Sequence, residues 1–324
     1  MLIIIKKFLR LALNSFEILR DNFINFIHIT SCENIVHIKT CSSVKEKELL
    51  LKLAPILFST YRMDSSNILP TIGRNNLIFG SAKLRATKWH RARRFAMSSN
   101  KCIVIEQPIV KRNVVTLDFT EESFRVGING FLKSECFNFG SNHGRINDST
   151  KLEYYYNLLK PWEDQKFNVA FIIGQVPGDA SLRGTNIFDW IRKVYLLIKK
   201  YYRKIIIRTP QINYNLYLIE LANLDGIELQ IGTFQNKRES LIYGDAFFTY
   251  SSTFSLESIS IGKCTYTDSS DNFASDYCPS SSDVIFPYPY FERELLFEKI
   301  ANCEFSIDDI KKLELKNTNF DYDS

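Results

Sequence analysis

Short apolar runs bounded by glycine, proline or polar residues recur along the second half of the chain. They read FNVAFIIG (167–174), KIIIRTP (204–210), GIELQI (226–231), DAFFTYSS (245–252) and KCTYTD (263–268). Such runs are typical of strands that are buried on both faces. Between the first two, NIFDWIRKVYLLIKKYY places apolar residues at helical spacing and ends in cations, which suit the end of a helix. This alternation predicts a mostly parallel α/β sheet with helices on both faces.

The first half has a similar but weaker pattern. NLIFG (76–80), KCIVIEQP (101–108) and FRVGINGF (124–131) are predicted strands, and a basic helix is predicted between the first two. The polar stretch NFGSNHGRINDS (138–149) indicates a domain boundary. We therefore predict one α/β domain over residues 1–150, a second over residues 165–290, and C-terminal helices over residues 291–324.

Polar turns follow three of the predicted strands, where ligands bind in parallel α/β sheets. In GQVPGDAS (174–181), the glycines allow close approach of a ligand, and Asp179 and Ser181 could orient polar groups or simply start the next helix. In YSSTFSLES (250–258), Ser251 and Ser252 could bind phosphate and Glu257 a ribose, or the same residues could cap a helix.

The third turn is RTPQ (208–211), in which Arg208 stands at a strand end. A guanidinium there can bind phosphate or carboxylate with two parallel hydrogen bonds, although a surface ion pair is the alternative. Because the carboxyl ends of parallel strands share one edge of a sheet, the three turns are expected to converge there.

The order GQVPGDASLRG, a Trp-containing helix, an Arg-Thr-Pro strand end and TYSSTFSLESISIGKCTYTD resembles the donor half of GT-B glycosyltransferases. The resemblance covers about residues 165–305. It is closest to the capsule polysaccharide group that includes the β-Kdo transferases, and to related phage proteins. It implies two Rossmann-like domains facing each other across a cleft, the first domain holding the acceptor and the second a sugar nucleotide.

In that family a glutamine-containing turn lines the cleft, an Arg-x-His-Pro element contacts the nucleotide, and a Ser/Thr-rich turn before an E-A-x-x-x-G helix holds phosphate. The matching residues in this chain are Gln175, Asp179, Ser181, Arg208, Pro210, Ser251, Ser252, Glu257 and Gly262. Thr209 stands where the family has histidine. This departure leaves the nucleotide open, and an inactive member is an alternative.

The predicted basic helix of the first half, GSAKLRATKWHRARRF (80–95), is a candidate acceptor site. Its cations, among them Arg91, Arg93 and Arg94, suit an anionic glycan, a lipid phosphate or nucleic acid, or they cover a solvated face.

Three groups of the first half could deprotonate an acceptor hydroxyl. Glu106 ends a predicted strand, and His90 and Asp118 are its rivals. Asp179 of the second half is a further candidate catalytic carboxylate.

Composition narrows these hypotheses only slightly. A net charge of +5 suits an anionic ligand, and 7 dispersed cysteines without a CxxC pair indicate reduced thiols in a cytoplasmic protein. No metal-ligand spacing occurs, so we expect metal-independent transfer with no cofactor beyond the sugar-nucleotide co-substrate. The start, MLIIIKKFLRLALNSF, is too interrupted by cations to span a membrane, but an amphipathic helix at the inner membrane is an alternative.

Three functions remain open from the sequence. The first is transfer of a sugar to a surface polysaccharide or glycolipid. The second is phage-type glycosylation of modified bases in DNA. The third is nucleotide or carbohydrate binding without catalysis, which the missing histidine suggests.

Overall fold

The computed structural model describes residues 34–41, 43–58, 61–63, 75–80, 92–93, 96–97, 102–109, 123–130, 132–143, 149–164, 166–284 and 288–313. These residues form two compact units. The first unit contains the described residues up to 143 and from 302 onward, and the second contains residues 149–301.

The helices and strands follow in chain order. Up to residue 143 they are β1 (Asn34–Val36), α1 (Val44–Leu57), β2 (Arg62–Met63), β3 (Asn75–Phe79), β4 (Cys102–Glu106), β5 (Phe124–Ile128) and α2 (Lys133–His143). From residue 149 they are α3 (Ser149–Tyr156), β6 (Val169–Ile173), α4 (Ile187–Ile198), β7 (Lys204–Pro210), α5 (Tyr214–Glu220), β8 (Ile227–Gly232), α6 (Phe234–Tyr243), β9 (Ala246–Thr249), α7 (Phe254–Ser260), β10 (Cys264–Thr267), α8 (Arg293–Ala301), β11 (Glu304–Phe305) and α9 (Ile307–Lys312).

The second unit is built on a parallel sheet with the strand order β10-β9-β6-β7-β8. Strand β6 comes first in sequence and lies in the middle. From it the chain builds outward through β7 and β8, and then returns to add β9 and β10 on the other side. The carboxyl ends of β6 and β9 therefore form a topological switch point, the place where ligands bind in sheets of this kind.

Side-chain alternation along the strands buries both faces of this sheet. Ile172 and Phe248 pack with helices α4 and α5 on one face. Phe171 and Phe247 stack on the other face, with ring centroids 5.5 Å apart, and pack with α6 and α7. Because apolar side chains point to both faces, the strands read as continuous hydrophobic runs in the sequence.

The first unit has a mixed sheet with the order β11-β5-β4-β3-β1-β2. Strands β1 to β4 are parallel, whereas β5 and β11 run antiparallel to their neighbours. Helix α1 packs on this sheet through Leu49, Leu50 and Leu53. It begins with a capping box in which Ser43 and Glu46 each bond the backbone N–H of the other.

The predicted α/β class with mostly parallel sheets is confirmed in both units. Two details differ from the sequence analysis. Helix α2 extends into the polar stretch 138–149, since Phe139 lies in the core of the first unit and holds this stretch in helical form. The C-terminal segment also contains a strand, β11, which pairs with β5 through Glu304 and Phe305.

In the described part of the chain, no helix combines the length and apolarity that a bilayer crossing needs.

Candidate functional site

Gln175 joins two turns at the switch point of the second unit. Its Oε1 accepts a hydrogen bond from the backbone N–H of Ser251 at 2.9 Å. Its Nε2 donates to the hydroxyls of Ser251 at 2.9 Å and of Ser181 at 3.1 Å. The turn after β6 and the turn after β9 are therefore at the same edge of the sheet, as the sequence analysis expects.

Tyr217 of helix α5 holds the backbone of Gln175 by a hydrogen bond. The Tyr217 hydroxyl donates to the carbonyl of Gln175 at 2.7 Å. A Cβ atom on Gly174 would lie 2.6 Å from that hydroxyl oxygen, so only glycine lets the tyrosine pass this close to the strand end. Burial raises the pKa of Tyr217 well above its usual value, so the phenol stays protonated and keeps donating.

Asp179 starts the short 3₁₀ turn at residues 180–182. Its Oδ1 accepts from both the N–H and the hydroxyl of Ser181, each at 3.1 Å. The Ser181 hydroxyl in turn accepts from Gln175. Asp179 thus holds Ser181 in place, and these two hydrogen bonds fit the interpretation in which Asp179 starts the next helix.

Ser252 shapes the turn that follows β9. Its hydroxyl accepts from the N–H of Phe254 at 3.2 Å, which stabilises the turn directly before α7, whose N-cap residue is Thr253.

Asn272 holds the same turn by side-chain hydrogen bonds. The sequence analysis did not identify this residue. Its side chain is buried, and its Nδ2 donates to the carbonyl of Ser252 at 3.3 Å and to the hydroxyl of Thr249 at 3.2 Å. Its Oδ1 accepts from the hydroxyl of Ser255 at 2.9 Å. An asparagine within the polar stretch DSSDNF carries no local signal for such a role.

Arg208 lies near the carboxyl end of β7 with a half-buried guanidinium. Its Nη2 donates to the carbonyl of Thr233 at 2.6 Å, and its Cζ lies 5.5 Å from the ring centroid of Phe254. Its Nε is buried with no hydrogen-bond partner among the described residues. Burial lowers the pKa of Arg208, while the negative charge of Glu257 acts in the opposite direction. A partly desolvated cation with an unused donor favours binding of an anion.

Glu257 of helix α7 forms an ion pair with Lys237 of helix α6. Lys237 was not identified from the sequence, because its position on a mostly polar helix gives no sign that it faces the site. The pair adds a second cation to the group formed by Arg208 and Glu257.

Thr209, the residue at the family's histidine position, points away from Arg208 because neighbouring strand residues face opposite sides of a sheet. It is buried, and its hydroxyl donates weakly to the carbonyl of Gln230 at 3.4 Å.

Two further contacts tie the segment after β10 to the rest of this edge. The carboxylate of Asp268 accepts from Trp190 Nε1 at 2.6 Å and from the N–H of Ser281 at 2.7 Å. Asp271 forms an ion pair with Arg183, in the segment that follows the 174–181 turn. These contacts hold the loops around the switch point in one arrangement.

In the first unit, Glu106 is the last residue of β4 and lies at the carboxyl end of the parallel strands. Its Oε1 accepts from the N–H of Gln107 at 2.9 Å, and its cross-strand neighbour on β5 is Arg125.

Arg93, one of the predicted acceptor-binding cations, is buried in the first unit. Its Nε donates to the carbonyl of Thr40 at 2.9 Å. Burial lowers the pKa of Arg93, and the carboxylates of Glu106 and Glu46 oppose this effect. His90, Arg91, Arg94 and Asp118 lie outside the described residues.

Among the residues that the structure describes, no group of three or more His, Cys, Asp or Glu side chains is arranged to hold a metal ion.

The fold has counterparts among solved structures. The chain is 16% identical to the β-Kdo 2,7 transferase of KpsC from Thermosulfurimonas dismutans, with a TM-score of 0.51 over 87% of this chain and 98% of that one. The β-Kdo 2,4 transferase of the same protein is 14% identical, with a TM-score of 0.48 over 88% of this chain and 98% of that one. The wall teichoic acid polymerase TagF is 11% identical, with a TM-score of 0.25 over 97% of this chain and 94% of that one.

No family model matches the sequence. No curated protein matches it either. The likeness to the 2,7 transferase therefore shows the fold, and the chain resembles GT-B glycosyltransferases in having two α/β units with mostly parallel sheets.

Proposed function

We propose that the protein is a glycosyltransferase that moves a sugar from a nucleotide-activated donor to a surface polysaccharide or glycolipid. The observation that carries this proposal is the link from Gln175 to Ser251 at the topological switch point of a parallel sheet. A nucleotide placed in that crevice lies within the group of polar side chains just described.

The donor phosphates are expected to bind near the cations at this edge of the sheet. Arg208 has a buried donor, Nε, that no described residue uses. Glu257 interacts electrostatically with Arg208 and forms an ion pair with Lys237, so both cations belong to one group. Both cations can offset the negative charge that develops on the departing phosphate. The hydroxyls of Ser251 and Ser252 supply further donors, and the second carboxylate oxygen of Glu257 can accept from a ribose hydroxyl.

In the transfer step, a base takes the proton of an acceptor hydroxyl. The hydroxyl oxygen then forms a bond to the anomeric carbon, and the bond from that carbon to the donor phosphate breaks, leaving its electron pair on the phosphate oxygen. Glu106 is the described carboxylate of the first unit that we assign as this base, because it stands at the carboxyl end of a parallel strand. His90 is the rival.

Binding of a sugar nucleotide tests the proposal directly. A thermal-shift series with CMP-, UDP- and GDP-sugars is expected to raise the Tm for one nucleotide class, by roughly 5–10 °C at a hundred times the Kd. Arg208→Ala should lose most of this shift, because it removes the cation opposite the phosphates. The matched control is Arg238→Ala, an exposed arginine on α6.

Three outcomes count against parts of the proposal. No shift with any sugar nucleotide contradicts a donor site. An equal shift in wild type and Arg208→Ala contradicts the assigned phosphate contact. A shift without donor hydrolysis or transfer identifies a binding protein without catalytic activity.

Transfer is expected to continue after chelation, because cations of the chain take the place that a metal has in metal-dependent transferases. Activity measured before and after EDTA, followed by addition of Mn²⁺, tests this. Loss with EDTA and recovery with Mn²⁺ would show that a metal bridges the donor phosphates.

Duplex DNA is the alternative acceptor, and salt dependence distinguishes it. A DNA-binding chain should show affinity that falls steeply between 50 and 200 mM salt, with each phosphate contact adding about 0.9 to the logarithmic slope. The appropriate variant is Arg91→Ala/Arg94→Ala, since Arg93 is buried and its removal would disturb the fold. A steep slope that this variant abolishes would replace the glycan acceptor with DNA.

A further inference from the structure

The segment from residue 190 to residue 219 contains no aspartate or glutamate. It carries seven cations: Arg192, Lys193, Lys199, Lys200, Arg203, Lys204 and Arg208. In the structure this segment forms most of α4, all of β7 and most of α5. Within α4 and α5 themselves, Asp189 and Glu220 balance Arg192 and Lys193, so the excess of positive charge lies at the end of α4 and in the loop and strand that follow it.

The outer face of α4 combines cations with an exposed leucine. Lys193 and Leu196 are three residues apart on α4, and Lys200 follows four residues later, just beyond the end of the helix, so it continues the same side. All three are exposed, and buried residues such as Ile191 and Val194 occupy the side against the sheet.

Helix α5 and the 3₁₀ turn at residues 211–213 before it present an apolar stripe to solvent. Ile212 and Ile219 are 77% and 74% exposed, and Leu216 lies between them at helical spacing. Tyr217, which is buried in this helix, and Leu221, which directly follows it, lie on the opposite side. Exposed isoleucines in a row are unusual on a surface that faces only water.

The two outer faces form one surface, because α4 and α5 pack side by side. The rings of Phe188 and Tyr217 lie 4.9 Å apart, and Arg192 Nη2 donates to the carbonyl of Glu220 at 2.6 Å. We call this the α4–α5 surface. It consists of Lys193, Leu196, Lys199, Lys200, Ile212, Leu216 and Ile219, and Arg203 follows in the loop between α4 and β7.

The cations of this surface are available to an external anion. Elsewhere in the segment, Arg192 pairs with Asp189 and Glu220, and Lys204 pairs with Glu228. Lys193, Lys199, Lys200 and Arg203 form no ion pair with a described carboxylate. The ammonium groups of Lys199 and Lys200 lie over the rings of Tyr195 and Tyr201 instead.

We propose that the α4–α5 surface binds the headgroup region of an anionic phospholipid bilayer. Isoleucine and leucine side chains enter the boundary between headgroups and acyl chains, while lysine and arginine side chains contact the lipid phosphates. Charge complementarity supports a lipid surface, because Lys193, Lys199, Lys200 and Arg203 are exposed and form no ion pair with a described carboxylate, and the acidic group next to the apolar stripe, Glu220, is paired with Arg192. This inference is independent of the proposed transferase activity.

Co-sedimentation of the full chain with vesicles tests the proposal. Wild type is expected to sediment with phosphatidylcholine vesicles that contain 30% phosphatidylglycerol and to stay in solution with phosphatidylcholine alone. Lys193→Gln/Lys200→Gln should weaken partitioning roughly thirtyfold, and high salt should weaken it further. Ile212→Ser/Ile219→Ser should reduce partitioning at every salt concentration, because the apolar contact is not screened.

The control variant is Ile242→Ser, which changes an isoleucine of similar kind, 58% exposed, on α6 at the opposite face of the sheet. It should sediment like wild type. Circular dichroism confirms that each variant is folded. Equal sedimentation of wild type and Ile212→Ser/Ile219→Ser overturns the proposal, since binding then depends on another part of the chain. A dimer in light scattering that Ile219→Ser dissociates also overturns it, and identifies a protein–protein interface.

Discussion

At the scale of single residues, the candidate site depends on one amide side chain that holds two turns. Gln175 uses both ends of its amide, accepting from Ser251 and donating to Ser251 and Ser181. An amide can do this because it carries an acceptor and two donors in one plane. A carboxylate at this position would lack the donors.

Gln175→Ala is expected to weaken sugar-nucleotide binding about tenfold, since it releases the turn that presents Ser251. Isothermal titration calorimetry with the nucleotide found by thermal shift measures the effect. Gln235→Ala, an exposed glutamine on α6, is the control and should bind like wild type. Unchanged affinity in Gln175→Ala would place the nucleotide elsewhere on the second unit.

At the scale of elements, the end of α7 packs closely against the 160–163 segment. Gly262 N–H donates to the carbonyl of Ile259, and Lys263 N–H donates to that of Ser258, which together form a Schellman motif. Gly262 has a φ of +82°, and a Cβ there would lie 2.0 Å from the carbonyl oxygen of Pro161. This glycine therefore serves both the turn and the close approach of the 160–163 segment.

Gly262→Ala should lower the free energy of unfolding by at least about 3 kcal/mol, because it adds a backbone clash to the strain of a positive φ. Gly226→Ala is the matched control. Its φ is +74°, but a Cβ there would meet nothing within 4 Å, so we expect a loss of about 1–2 kcal/mol. Urea unfolding of both variants measures the difference. Equal losses would show that backbone strain accounts for the whole effect.

At the scale of the whole molecule, buried thiols in both units make stability depend on pH. Burial raises the pKa of Cys136 in the first unit and of Cys278 in the second to about 12. The thiols in the unfolded chain lose their protons near their ordinary value of 9.0. Above that pH the folded state binds more protons than the unfolded state, so the stabilisation from these groups is lost as pH rises.

The free energy of unfolding is therefore expected to fall between pH 9 and pH 10.5. Urea unfolding across that range measures the slope. In Cys278→Ala the free energy of unfolding should fall less steeply with pH than in wild type. A slope remains, because burial also raises the pKa of Tyr288. Identical slopes in the two proteins would show that Cys278 does not contribute.

The five strands of the second unit, helix α4 and the parallel class of the sheet follow from the sequence. These depend on local patterns, since strands buried on both faces must be apolar throughout and a packed helix must repeat its apolar residues. Parallel strands share one edge for their carboxyl ends, so the sequence also predicts that Gln175, Arg208 and Ser251 lie on one edge.

Which of those strand ends are neighbours depends on how the chain folds. The order β10-β9-β6-β7-β8 depends on packing between segments far apart in sequence, and it brings Gln175 to Ser251. The same long-range packing recruits Asn272 and Lys237, turns Arg93 inward and adds β11 to the first sheet. No local pattern carries these contacts, because the partners are set by hydrogen bonds and burial that exist only once the chain has folded.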